Sequence, residues 1–161
     1  MTKQTIVVGS LYVAAMVALA GVAAWPIYTN VWYLLVIAVS AVVGAGLAVL
    51  SLLVKWNGWL IALAVAVASF AIAVTMGVPE HWASGTIVPD GLREAALGFA
   101  TGFKDLATAP LPVGTYRNLL VPAIAVFVVG TFIAVRFAFV AGRRAGYTVV
   151  AVGAMLAFGL L

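Results

Sequence analysis

Cysteine is absent from this 161-residue chain. No disulfide, thiolate metal site or cysteine nucleophile can form within it. Charge is nearly as scarce. Only 7% of the residues are Asp, Glu, Lys or Arg, against roughly 25% in a soluble domain. A surface so poor in charge is not kept in water, and lipid is its natural solvent. Acid is scarcest of all: four Asp and Glu stand against eight Lys and Arg. The net charge of +4 is no nucleic-acid footprint, because the basic residues are scattered between apolar runs without a patch of interleaved aromatics. Those runs contain no Asp, Glu or His. Ion-coupled transporters usually carry such groups inside their spans, so the absence speaks against that class. Phosphate-cradling loops, the zinc-protease helix motif and the dinucleotide glycine pattern are missing as well. No cofactor is implied.

What is present is hydrocarbon: 66% of the residues are hydrophobic, with a mean hydropathy of +1.27. The chain reads as one all-α membrane domain, a polytopic bundle of about five helices at residues 6–25, 31–54, 59–78, 119–142 and 147–161. The first four are each long enough to cross ~30 Å of hydrocarbon at 1.5 Å per residue. Backbone polar groups must be satisfied internally in lipid, so the spans are helices. The fifth rises only ~22 Å, with no polar cap after it, and has the look of a cut through a helix. The first follows Lys3 in the outline of a signal peptide. It is longer than the usual ~7–15-residue apolar region and is read as a retained span.

Residues 79–117 are different. They hold all four acids (Glu80, Asp90, Glu94, Asp105), four of the six prolines and the only histidine, His81. Asp90 is placed to cap a helix running to about residue 107. Leu92, Ala96, Phe99, Phe103 and Leu106 recur at three- and four-residue spacing and share one face. Arg93, Glu94, Thr101, Lys104 and Asp105 fill the rest. This is the pattern of an amphipathic helix lying on a membrane surface or on the bundle.

Charge sets the expected topology. With a cytoplasmic N-terminus, Lys3, Lys55, Arg143 and Arg144 lie inside with no acid, while Arg93, Lys104 and Arg117 lie outside with all four acids. This matches the positive-inside bias. Trp25, Tyr28, Trp32 and Tyr33 would mark the outer interface, and Trp56 and Trp59 the inner one.

Few residues invite chemistry. His81, Ser84 and Asp90 share one loop, but a triad needs a fixed scaffold, and ordinary loop polarity accounts for them. Glu80 and His81 fall short of the three or four ligands of a stable metal site. Arg136 is the charge that falls inside a span. An ionisable group there is a functional-site hypothesis by default. It either snorkels about 10 Å along its helix to the headgroups, or binds an anionic group or a partner. Gly130, Ala134, Ala138 and Gly142 form a ridge of small residues at four-residue spacing, as do Ser40, Gly44 and Ala48. Such ridges let helices approach closely, within a bundle or across a dimer.

One longer pattern goes beyond these residues. Ile87-Val88-Pro89-Asp90-Gly91-Leu92-Arg93 leads into the amphipathic segment through Gly102-Phe103-Lys104-Asp105-Leu106. Thr108-Ala109-Pro110-Leu111-Pro112-Val113, an apolar span and Arg143-Arg144-Ala145-Gly146 follow. This order resembles the N-terminal membrane domain of bacterial transglutaminase-like membrane proteins. The resemblance implies a plasma-membrane bundle that anchors a large extracytoplasmic domain. The Cys-His-Asp machinery of the family belongs to that domain, so no catalytic residue carries over and the chain itself would be no enzyme. Leu92, Phe99, Phe103 and Leu106 would then form a docking face. Arg136 departs from the family pattern, which has an acidic or neutral residue there. Two rivals stand beside this reading: an accessory subunit held by other membrane subunits, and a small channel lined by Ser40, Ser51, Ser69 and Thr75.

Overall fold

Proline and asparagine decide where the helices break and begin. The computed structural model describes residues 3–77, 89–109, 112–113, 118–138 and 146–160, with side chains from residue 11 in the first helix and from residue 91 in the fifth. Helix α1 (Lys3–Ala23) breaks at Ala24, and the one-turn α2 (Trp25–Tyr28) follows with Pro26 in its first turn. Pro26 has no N–H to offer the preceding turn, so the helix breaks here within the span. Thr29 then turns the chain with φ 44°. Helix α3 (Val31–Leu53) opens on Asn30, whose side chain accepts from the Trp32 N–H at 2.8 Å. Helix α4 (Gly58–Met76) opens on Asn57, which accepts from the Leu60 N–H at 2.9 Å. Each cap satisfies one of the donors a helix start leaves unpaired.

Helix α5 spans Pro89–Thr108. Proline opens it because its missing N–H would be unpaired there anyway. Asp90 therefore lies inside the first turn and is not the cap. Helix α6 runs Val121–Ala138 and α7 runs Gly146–Phe158. Among the described residues there is no strand, and the architecture is an all-α bundle. Among the described residues four segments are long and apolar enough to cross a membrane: Leu11–Tyr28, Val31–Leu53, Gly58–Met76 and Val121–Ala138. The 13-residue α7 is shorter, about 20 Å at 1.5 Å per residue. It ends at Phe158 in turns from the Gly159 N–H to Leu156 O and from the Leu160 N–H to Ala157 O. A Cβ on Gly159 would lie 2.7 Å from the Ala24 nitrogen. The helix thus stops where its backbone meets the α1–α2 junction.

α6 is the central helix. α3 and α7 pack along it, and α1, α4 and α5 complete the surround. The buried side chains of α6 include Ile124, Phe127, Val128 and Thr131. Tyr28 and Tyr33 sit wholly buried near its start, with rings stacked 4.4 Å apart. The Tyr28 hydroxyl donates to Leu119 O at 3.0 Å, and that of Tyr33 donates to Gly21 O at 3.1 Å. These tyrosines are not the interface markers the sequence suggests. They serve carbonyls at the break in α1 and ahead of α6, and a buried carbonyl without a donor is costly. Trp25, Trp32 and Trp56 are half-buried, and Trp59 is exposed. The Trp32 indole N–H donates to Met76 O at 3.0 Å, tying α3 to the end of α4.

Candidate functional site

The α5 end of the bundle is built from residues with little or no side chain. Gly91, Ala95, Gly98 and Gly102 are buried, and Leu106 continues the same strip. A Cβ on Gly98 would lie 2.7 Å from Val121 Cβ, and one on Gly102 would lie 3.1 Å from Pro122 Cγ. α5 therefore rests directly on the start of α6. Asn118 Nδ2–H donates to Glu94 O at 3.2 Å across the same joint. At 3.6 residues per turn, this seam is roughly a quarter-turn away from the apolar face read in the sequence. That face divides. Leu106 is buried, so it takes no part in any exposed docking face. Leu92, Phe99 and Phe103 remain exposed along the edge. The Phe99 ring stacks on Phe70 of α4 at 6.1 Å, and the Phe103 ring meets Phe158 of α7 edge-on at 6.4 Å. The remaining surface carries the exposed polar residues Arg93, Thr101, Lys104 and Thr108 among exposed Leu97 and alanines. The Thr101 hydroxyl donates to the Asp105 carboxylate at 2.8 Å.

At the opposite end, Arg136 lies in the last turn of α6. It is half-buried and reaches across to α3, where Nη1–H donates to Ser51 Oγ. Ser51 in turn donates to Ala48 O at 2.8 Å. The guanidinium carbon lies 6.0 Å from the centre of the Phe132 ring. The side chain is thus held between two helices.

The two small-residue ridges lie in different contacts. Ser40, Gly44 and Ala48 are buried on the side of α3 that meets α6, where a Cβ on Gly44 would come within 2.5 Å of Val128 O. Gly130 and Ala134 face α7: a Cβ on Gly130 would meet Met155 Sδ at 2.5 Å, and the Thr148 hydroxyl donates to Ala134 O at 3.3 Å. Ala138 is half-buried. Gly142 lies outside the described residues.

Between α1 and α3 runs an apolar groove of about 650 Å³, walled by Val13, Val17, Gly21, Leu34, Ala38 and Ala45 and reaching Thr131 on α6. The hydroxyls of Thr131 and Ser40 are buried without a hydrogen-bond partner. Ser51 and Ser69 are buried too, each donating to a carbonyl of its own helix, as does Thr75. Hydroxyls bonded in this way to their own helix need no water to satisfy them.

Glu80, His81, Ser84, Arg117, Arg143 and Arg144 lie outside the described residues, as does the side chain of Asp90. Among the described residues no group of three or more His, Asp or Glu side chains is placed to hold a metal ion. Comparison with family models, with curated proteins and with solved structures finds no match to this chain.

Proposed function

We propose that this chain is a non-catalytic membrane scaffold that presents α5 as a platform on the outer surface of a bacterial plasma membrane. The observation that carries the reading is the glycine-lined seat of α5. Gly98 and Gly102 bring the helix against Val121 and Pro122, while Arg93, Thr101, Lys104 and Thr108 stay exposed. A charged amphipathic helix fixed to a bundle end is a rigid surface on which a soluble domain can rest. This agrees with the resemblance to the membrane region of transglutaminase-like proteins, in which the bundle anchors an extracytoplasmic domain. Docking then uses the polar side of α5, because Phe99 and Phe103 already lean on Phe70 and Phe158.

Positive-inside charge bias supports a multi-pass topology with the N-terminus and Lys55 in the cytoplasm and α5 outside. The lack of native cysteine makes this directly testable. Thr101→Cys should react with an impermeant maleimide on intact cells, and Lys55→Cys only after permeabilisation. The reverse pattern would overturn the topology. For the anchor itself, the native product should be detected in its own membranes by an antibody against α5. A band several times heavier than 16.6 kDa is expected. A band at that mass would overturn the covalent anchor and leave the accessory-subunit reading. One feature favours that second reading: the open α1–α3 groove, which a further membrane helix could enter.

A further inference from the structure

A half-buried cation at the edge of hydrocarbon favours an anion, and among the described residues of its own chain Arg136 has none within reach. Its described hydrogen-bond partner is the neutral Ser51 hydroxyl, and its aromatic neighbour is Phe132. The four acids of the chain all fall between residues 80 and 105. The two whose side chains are described, Glu94 and Asp105, belong to α5. α5 sits on Val121 and Pro122, and Arg136 lies 14 to 15 residues further along α6, about 21 Å at 1.5 Å per residue. No carboxylate on α5 can reach it. The carboxyl ends of α3 and α6 take up part of the charge. That effect is only about half a charge per helix and fades within a turn, and the amino ends of α1, α4 and α7 share this end of the bundle.

We infer that Arg136, steered by Ser51, binds the phosphate of an anionic phospholipid at this end of the bundle. Three observations support lipid as the source. Arg136 stands two residues before the last described residue of α6, and Ser51 two before the end of α3, so the pair lies toward one end of the apolar spans, on the side where headgroups begin. The neighbouring start of α4 stands clear of the bundle, with Trp59, Leu60 and Leu63 exposed, so this end offers apolar surface that lipid can cover. Last, Ser51 occupies one N–H of a guanidinium that carries five, and the planar fork that remains matches a phosphate better than a lysine could. Basic sites between membrane helices commonly recruit anionic headgroups in this way. A carboxylate from another protein is the competing anion, but a lone acid in a span is itself expensive.

The test uses the full chain purified in a neutral detergent. Bound lipid is counted by native mass spectrometry, and melting is followed by tryptophan fluorescence with added phosphatidylglycerol, phosphatidylcholine or inorganic phosphate. The wild type should retain phosphatidylglycerol and melt higher with it than with phosphatidylcholine. Arg136→Gln should weaken that preference on the order of tenfold, about 1.4 kcal/mol, and Arg136→Lys should keep only part of it. Should Arg136→Gln not fold, Arg136→Lys and Ser51→Ala decide: a preference undiminished in both overturns the inference. Equal binding of the two lipids overturns it, and so does protection by inorganic phosphate equal to that by lipid. A stoichiometric second protein, released by Arg136→Gln in place of lipid, would overturn it in favour of a carboxylate partner.

Discussion

Adding one methyl group at residue 44 should force α3 and α6 apart. The Cβ of Gly44→Ala would lie 2.5 Å from Val128 O and 3.3 Å from both Phe132 N and Thr131 Cβ. The first two are backbone atoms of α6, so no rotamer change relieves the clash. Overpacking of this kind costs roughly 1–3 kcal/mol. Alanine also favours a helix over glycine by about 1 kcal/mol, and this gain must be separated from the clash. Gly46 supplies the control, since a Cβ there meets nothing within 4 Å. Gly46→Ala keeps the helical gain without the contact. The difference between the two variants isolates the packing cost, about 1–3 kcal/mol, or roughly five- to 150-fold in the unfolding equilibrium. Gly130→Ala should fall between them, because its Cβ meets Met155 Sδ and Cγ, and a methionine can shift. The measurement is reversible unfolding in mixed micelles of a mild detergent and dodecyl sulfate, followed by tryptophan fluorescence. Stability should rank Gly46→Ala at or above wild type, then Gly130→Ala, then Gly44→Ala. Equal stability of the 44 and 46 variants would refute the close α3–α6 approach.

Three further outcomes are expected. Tyr28→Phe and Tyr33→Phe each remove a donor to a carbonyl, Leu119 O or Gly21 O, and each should cost about 1 kcal/mol in the same unfolding assay; because the rings stack, the double variant should depart from additivity. Gly98→Ala drives a Cβ to 2.7 Å from the stiff, branched Val121 side chain, so amide exchange in α5 should speed up while α3 and α6 stay protected; unchanged exchange would deny the close seat. Thr131→Val replaces a buried hydroxyl that has no partner with an apolar group of similar shape, and should raise stability by about 1 kcal/mol. A fall in stability would mean that the hydroxyl is engaged by something occupying the α1–α3 groove.

The helices were legible because their signal is hydrocarbon itself. Long runs without Asp, Glu or His admit few alternatives in lipid. The starts of α3 and α4 were also written in the sequence: Asn30 and Asn57 stand immediately ahead of apolar runs, a recognised N-cap signal. Tyr28 and Tyr33 were not legible in the same way. An interfacial belt and a buried stacked pair have the same composition, and only the hydroxyl bonds to Leu119 O and Gly21 O tell them apart. Arg136 announced that it needed a partner. It did not announce Ser51, which lies 85 positions away in the chain.

α5 shows most clearly why the rest stayed hidden. Apolar periodicity located Leu92, Phe99 and Phe103, and these form the exposed edge. The bundle is met instead by Gly91, Ala95, Gly98 and Gly102, which contribute almost nothing to a hydropathy pattern. Glycine approaches a neighbour by having no side chain to lose, so the residues that fix the helix are those that hydropathy weighs least. Their spacing of four, three and four is nonetheless a helical repeat, and it was available as a signal. The same holds at Gly44 against Val128 and at Gly130 against Met155. All three contacts involve α6, so the central helix is positioned against three neighbours by absent side chains. Any single Cβ added to those seams should therefore disturb a helix pair while leaving the apolar composition, and the drive into lipid, intact.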